Sequence, residues 1–187
     1  FRMLGGDFDN SLGGDFWSED GNTIYFTAGT KVTNQLFALD IRNDEVRQIT
    51  DERGVVRVYQ DEDTVMPFIS YRDPTTYPTV FAVDGLDEVT DQDEWVQLVH
   101  VNPHLREMAF GRMVEVEWTS TDGKRVGGVF TYPVGYEEGT RYPLVVSIHG
   151  GPASADLLEL DATAQVYAGA GYAVLQPNYR GSRNYGN

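Results

Sequence analysis

The sequence predicts two architectures in succession: antiparallel β-blades up to about residue 110, then the opening strands of an α/β sheet over residues 111–187. Three observations carry this. The stretch Leu36-Phe37-Ala38-Leu39-Asp40 returns as Val80-Phe81-Ala82-Val83-Asp84, an offset of 44 residues. Asp122-Gly123 stands between two β-branched and aromatic runs, a strong hairpin signal. Finally, an apolar strand pattern, a helical pattern and a second apolar strand follow one another near the end, as in a crossover unit of a parallel sheet.

In the blade region, Phe16–Asn22 leads by a turn into a strand at Thr23–Ala28, where Ile24 and Phe26 share a face. Phe37, Leu39 and Ile41 then alternate with Leu36, Ala38 and Asp40, the two-residue period of a strand. Arg42–Glu45 makes a turn and Val46–Thr50 returns. At the offset of 44, Ile24-Tyr25-Phe26 falls on Phe68-Ile69-Ser70, also strand-like. A period near 40–45 residues with several strands per unit is the signature of β-propeller blades, so two blades are expected. The plainer alternative is two amphipathic strands that look alike by chance. Pro67 fits an edge strand or bulge, Asp84-Gly85 a turn, and the acidic run Asp87–Glu94 a solvated loop. A complete propeller has four to eight blades, so others are expected elsewhere.

In the second region, Val114–Thr121 and Val126–Tyr132 form the hairpin around Asp122-Gly123. Leu144–Ile148 is nearly continuous in apolar residues, as expected of a strand covered on both faces. Asp156–Ala170 is read as the one helix, with Leu157, Leu160, Ala164 and Ala168 at helical spacing and Gly171 as a left-handed stop. Tyr172–Gln176 is another buried strand, ended by Pro177.

Composition narrows the function. Of the 187 residues, 14 are Lys or Arg and 29 Asp or Glu, a formal charge of −15. Such a chain is a poor partner for anionic DNA or RNA. The hydrophobic fraction of 41% and aromatic fraction of 12% exclude extensive disorder. With no cysteine there is neither a disulfide nor a thiolate metal site. No apolar run approaches the ~20 residues of a membrane span, so a soluble chain with no membrane partner is expected. The compartment stays open, with the cytoplasm slightly favoured over a periplasmic or secreted location. The opening at Phe1, with no initiator Met and no leader, reads as the start of an excised piece. Half-built sheets expose edges that invite self-association.

Two segments carry candidate chemistry. His149-Gly150-Gly151-Pro152 follows the apolar strand directly. Two glycines let the backbone turn sharply and bring amides close to a ligand. In α/β-hydrolases the loop at this place supplies one backbone N–H of the oxyanion hole, a donor worth roughly 3–4 kcal/mol of barrier. The alternative is an ordinary glycine turn. The second segment, Pro177-Asn178-Tyr179-Arg180-Gly181-Ser182, ends the following strand, where α/β folds place their sites. Arg180 reads first as an ion pair fixing this loop and second as a ligand for a substrate carbonyl or carboxylate.

Tyr142–Pro152, with Asn178-Tyr179-Arg180-Gly181-Ser182 and Tyr185-Gly186 about 25 residues on, resembles the prolyl oligopeptidase family, in its acylaminoacyl-peptidase and dipeptidyl-peptidase-like branch. The approach segment Trp118–Pro133, with Gly127-Gly128, is similar to the family's entry into its catalytic domain. The resemblance implies partial β-propeller blades over 1–110 followed by the N-terminal part of an α/β-hydrolase domain over 111–187. It further implies a serine peptidase acting on short peptides without a cofactor. By the same resemblance, the Gly151 amide is an oxyanion donor, Gly150 and Pro152 shape its loop, and His149 supports it. Asn178, Tyr179 and Arg180 then line or buttress the substrate site.

One departure stands out. A nucleophile elbow needs G-x-S-x-G, and none of Ser11, Ser18, Ser70, Ser120, Ser147, Ser154 or Ser182 has that setting. In this fold the triad runs Ser, Asp, His, so His149 cannot be its base. His100 and His104 default to surface or structural roles. The expectation is that elbow, acid and base lie beyond Asn187 and that these 187 residues alone hydrolyse nothing. Two other readings stay open: an esterase on the same scaffold, which needs no 44-residue repeat, and a non-catalytic propeller module with an inactive hydrolase remnant. No metal is expected. Asp7–Ser11 and Asp91–Glu94 lack the glycine and terminal glutamate of a calcium loop, and Gly5-Gly6 and Gly13-Gly14 lack a phosphate-loop lysine.

Overall fold

Alternating apolar residues and tight Asp, Asn and Gly turns organise the first part of the chain into two antiparallel meanders. The structure is a computed structural model and describes residues 3–60, 67–86, 89–90, 92–99, 101–151 and 153–186. Pro152 and His100, and Asp87, Glu88 and Asp91 of the acidic run, lie outside the described residues. The first meander is β1 (Leu12–Trp17), β2 (Thr23–Thr30), β3 (Thr33–Asp40) and β4 (Glu45–Gln48). The second is β5 (Val55–Tyr59), β6 (Phe68–Asp73), β7 (Thr76–Ala82) and β8 (Val96–Gln97). A single parallel pairing, Asn34 with Val55, joins them into one eight-stranded sheet that does not close. The 44-residue echo falls on equivalent strands: Ile24–Phe26 and Phe68–Ser70 on the second of each meander, Leu36 and Val80 on the third.

Leu36, Val56 and Ile69 are fully buried between the meanders, each worth about 1.5–3 kcal/mol of burial. Trp95 closes this core, its ring edge-on to Tyr71 at 5.7 Å and to Phe81 at 5.5 Å. The acidic run is therefore more than a solvated loop. Its described carboxylates Asp93 and Glu94 face solvent, but Val89 within it is buried in this core beside Trp95.

The second sheet has four strands in the order β11-β12-β10-β9. β9 (Met113–Thr119) and β10 (Arg125–Thr131) form the hairpin predicted at Asp122-Gly123, with Gly123 at φ +82°. β11 (Leu144–Val146) and β12 (Ala173–Asn178) run parallel, with α1 (Ala162–Gly169) between them in sequence. At eight residues, α1 is too short to cross a membrane, and no other described helix is long and apolar enough.

Three expectations need correction here. The helix starts at Ala162 and not at Asp156, because Asp161 in extended conformation caps it by accepting from the Ala164 amide at 2.9 Å. The preceding residues are drawn onto the first sheet: Leu158 N–H donates to the Val32 carbonyl at 2.6 Å and Leu160 N–H to that of Asp73 at 2.8 Å. β11 is not covered on both faces; it is the edge of its sheet, with Leu144, Val146 and Ile148 each more than half exposed. Pro177 does not end β12, which continues to Asn178 with Pro177 opposite Gly128. β12 has by then outrun β11, whose last pairing is Val146 with Leu175, so no neighbour there needs the missing proline N–H.

The two sheets meet at the β2–β3 turn. Lys31 takes a left-handed conformation (φ +55°), and the adjoining Val32 is fully buried against Met113 and Val129 of the second sheet and Leu158 of the segment before α1. Lys31 pairs with Glu117 on β9 at 2.7 Å, and Arg72 on β6 pairs with Glu159.

Candidate active site

The turn at His149-Gly150-Gly151 leaves the end of β11 just after Ser147 N–H pairs with the Leu175 carbonyl at 2.9 Å. Gly150 and Gly151 are exposed, and neither amide has a hydrogen-bond partner among the described residues. Gly151 sits at φ +134°, a conformation that an L side chain rarely adopts. The glycine at this position is therefore required by the path of the turn.

His149 holds the turn from behind. Its Nδ1 lies 3.1 Å from the Gly150 carbonyl, and its Nε2 lies 2.8 Å from Ser182 Oγ. A carbonyl only accepts, so Nδ1 carries the proton and Nε2 accepts from the Ser182 hydroxyl. The imidazole also stacks on Tyr179 with centroids 4.5 Å apart, and the Tyr179 hydroxyl donates to the His149 carbonyl at 3.1 Å. These contacts fix the peptide plane between Gly150 and Gly151. With the Gly150 C=O turned toward the imidazole, the trans N–H of Gly151 points the opposite way, and Gly151 itself is exposed.

The remaining residues expected at the site fall into different roles. Tyr179 and His149 come together as one stack. Asn178 is not available to a substrate: it is 2% exposed, accepts from the Asp156 amide at 2.7 Å and donates to the Asp156 carbonyl at 2.9 Å. Its side chain staples the loop after Gly151 to the end of β12. Arg180 adopts the ion-pair alternative and pairs with Asp122 of the hairpin turn. Burial acts to raise the Asp122 carboxyl, but the Lys124 amide and the Arg180 guanidinium hold it below the ordinary range. His104 lies in a short 3-10 turn, Pro103–Glu107, away from this turn in sequence. Sequence reasoning misses Ser182 as the partner of His149 because it tests each serine only as a nucleophile; Ser182 is buried and fully engaged.

Asp156 is incompletely satisfied beside this loop. It is half-buried, its Oδ2 lacks any hydrogen-bond partner, and its Oδ1 meets Gln176 Nε2 only at 3.5 Å. Burial raises its carboxyl above the ordinary 3.8, against the opposing pull of His149. A raised folded-state value means that the folded chain binds the proton more tightly than the unfolded chain. That contribution is complete below the ordinary value of 3.8 and disappears as pH climbs through the raised one. Asp156→Asn should therefore lower the urea midpoint at pH 4 relative to the midpoint at pH 7, compared with the unaltered chain. An unchanged difference would contradict the assignment.

No known family profile matches the chain. It is 27% identical over 176 residues to dipeptidyl-peptidase 5 of Trichophyton equinum, covering 91% of this chain and 24% of that protein. To dipeptidyl-peptidase 5 of Arthroderma benhamiae it is 26% identical over 191 residues, covering 99% of this chain and 26% of the other. The chain thus spans about a quarter of the length of the curated relatives it matches. Among solved structures, acylaminoacyl peptidase of Pyrococcus horikoshii superposes with a TM-score of 0.77 at 21% identity, covering 99% of this chain and 28% of that one. AtxE2 isopeptidase superposes with a TM-score of 0.66 at 18% identity, covering 89% and 25%. The resemblance to prolyl oligopeptidase-type peptidases read at His149–Pro152 and Asn178–Ser182 thus extends over nearly the whole chain. The relatives are peptidases, and the fold is that of the corresponding part of acylaminoacyl peptidase.

Proposed function

We propose that this chain is the part of a prolyl oligopeptidase-type serine peptidase that joins closing propeller blades, residues 1–110, to the first strands and helix of an α/β-hydrolase domain, residues 111–187. The Gly151 amide is its oxyanion donor. The observation that carries this is the Gly151 N–H, on an exposed residue and without a hydrogen-bond partner among the described residues, with the opposite side of its peptide plane anchored on His149. A donor held in place before the reaction costs no reorganisation when the substrate carbonyl takes negative charge. The antiparallel hairpin feeding a β11-α1-β12 unit supports the hydrolase reading, and the repeated four-stranded meander supports the propeller reading.

In the whole protein a serine attacks the carbonyl of a short peptide and forms an acyl-enzyme, with a histidine shuttling the proton. The groups for those steps come from outside these 187 residues, since no serine here has an elbow setting. Here Gly151 holds the oxyanion, His149 and Tyr179 orient its peptide, and Asn178 fixes the loop. A fluorophosphonate should therefore leave the 187-residue chain unlabelled and modify the whole protein at one serine, with hydrolysis of short peptide anilides. Stoichiometric labelling of the isolated chain, or a whole protein inert toward both reagents, would overturn the proposal.

A further inference from the structure

A cavity of about 520 Å³ lies between the first sheet and the segment that follows the His149-Gly150-Gly151 turn. The meanders contribute Arg57 and Arg72 to its wall, and the loop beyond β12 contributes Arg183. Among the described residues Glu159 is the only acid lining it, and Glu159 is paired with Arg72. Arg57 and Arg183 have no ion-pair partner among the described residues. A chain with a formal charge of −15 thus gathers three guanidiniums in one concave place against a single described carboxylate, Glu159, which feels both Arg72 and Arg57. Low-dielectric walls of one sign focus the field on an anion.

The cavity is mechanically tied to the candidate site. Ser154 and Ala155 line its mouth, three and four residues past Gly151. The Arg183 N–H donates to the Ser154 carbonyl at 2.9 Å, and the neighbouring Ser182 is bonded to His149. Three residues of chain span at most about 11 Å, so the mouth lies within that distance of the Gly151 amide. A peptide with its reacting carbonyl at Gly151 is long enough to cover that distance with its next few residues.

We infer that this cavity is a subsite for a peptide carboxylate, with Arg57 and Arg183 as its ligands, so that short peptides with a free carboxylate a few residues beyond the reacting bond are preferred. The peptidase reading enters only in the choice of a peptide as the carrier. Guanidinium forks match a carboxylate bidentately, which is why arginine, and not net charge alone, is the argued element.

The test is calorimetric titration of the chain with Ala-Ala-Ala-Ala as free acid, the same peptide as its amide, Ala-Glu-Ala-Ala amide, and inorganic phosphate. The free acid should bind about tenfold more tightly than its amide, the worth of one charge-assisted contact. Arg57→Gln and Arg183→Gln should each remove that preference, while Arg57→Lys keeps part of it. If the glutamyl amide binds like the acid, the inference holds with a side-chain carboxylate as a second source. Equal binding of acid and amide, or binding of phosphate alone, overturns it. Because a variant could lose its fold, the arginine Nε–H resonances of the unaltered chain are followed too. Shifts at Arg57 and Arg183 with the acid but not the amide support the subsite, and none with either refutes it. Loss of the acid preference in a protein whose serine still labels sinks the subsite alone, whereas an unlabelled whole protein with the preference intact sinks the peptidase reading alone.

Discussion

If Gly151 is the oxyanion donor proposed here, Gly151→Ala in the whole protein lowers kcat for peptide hydrolysis by roughly 10²–10³-fold, with KM little changed, the loss typical of one such donor. At φ +134° a Cβ is strained whatever space surrounds it, so the chain relaxes and the N–H swings off its direction. The added Cβ would also crowd Ser154 Cβ at 3.2 Å, which pushes the turn toward the loop it must clear. Neighbouring Gly150 supplies the control. It has no positive φ, and a Cβ added there would meet nothing within 4 Å, so Gly150→Ala should cost far less. Both residues are exposed, so the melting temperature should barely move in Gly150→Ala and fall in Gly151→Ala only by the strain of its turn. Steady-state hydrolysis of a short peptide anilide distinguishes the two. Equal, mild effects would show that the Gly151 amide holds no developing charge.

Gly128→Ala should destabilise the chain by about 3 kcal/mol, at the upper end of overpacking effects. Gly128 lies on β10 between β9 and β12, paired with Val116 on one side and Pro177 on the other. A Cβ there would run into the Gln176 carbonyl and come within 2.9 Å of Pro177 Cα. Both are backbone atoms, so two strands must part to accept it. Gly127→Ala is milder, because its new Cβ would meet the Tyr185 hydroxyl at 2.6 Å, the far end of a side chain, and the Val116 carbonyl only at 3.2 Å. Urea unfolding of the two variants should rank them in that order. The reverse order would mean that the β10–β12 spacing is looser than the register implies. Since β12 carries Asn178 into its contacts with Asp156, Gly128→Ala should also loosen the loop after Gly151.

Local signals make the hairpin around Asp122-Gly123 readable, since a turn dipeptide flanked by alternating residues depends on nothing distant. The 44-residue echo is readable for a related reason: equivalent strands in two meanders meet the same inside-and-outside demand. Expectation fails where tertiary contacts override local pattern. Leu157 and Leu160 have helical spacing, but hydrogen bonds from Leu158 to Val32 and from Leu160 to Asp73 hold their segment against the other sheet. No sequence period reports a contact across more than 80 residues. Pro177 looks like a terminator in sequence, but its effect depends on whether a neighbouring strand still runs alongside, and β11 has ended there. At the site, the glycine turn is legible from its place after an apolar strand. The partnership of His149 with Ser182 and the burial of Asn178 are not, since both depend on how the β11 and β12 loops fold against each other. Arg57 gives no signal at all. It is one residue in the alternation Val56-Arg57-Val58, and only the approach of the Ser154–Glu159 segment turns its face into a cavity wall.

The proposed peptidase chemistry depends on where the Gly151 N–H points when a carbonyl is attacked. A crystal structure of the whole protein trapped by a peptide boronate would read this directly. The oxygen standing for the oxyanion should accept from Gly151 N at about 2.7–3.1 Å, with His149 still on the Gly150 carbonyl. An oxygen held by other donors, with the Gly151 amide bonded within the protein, would contradict it.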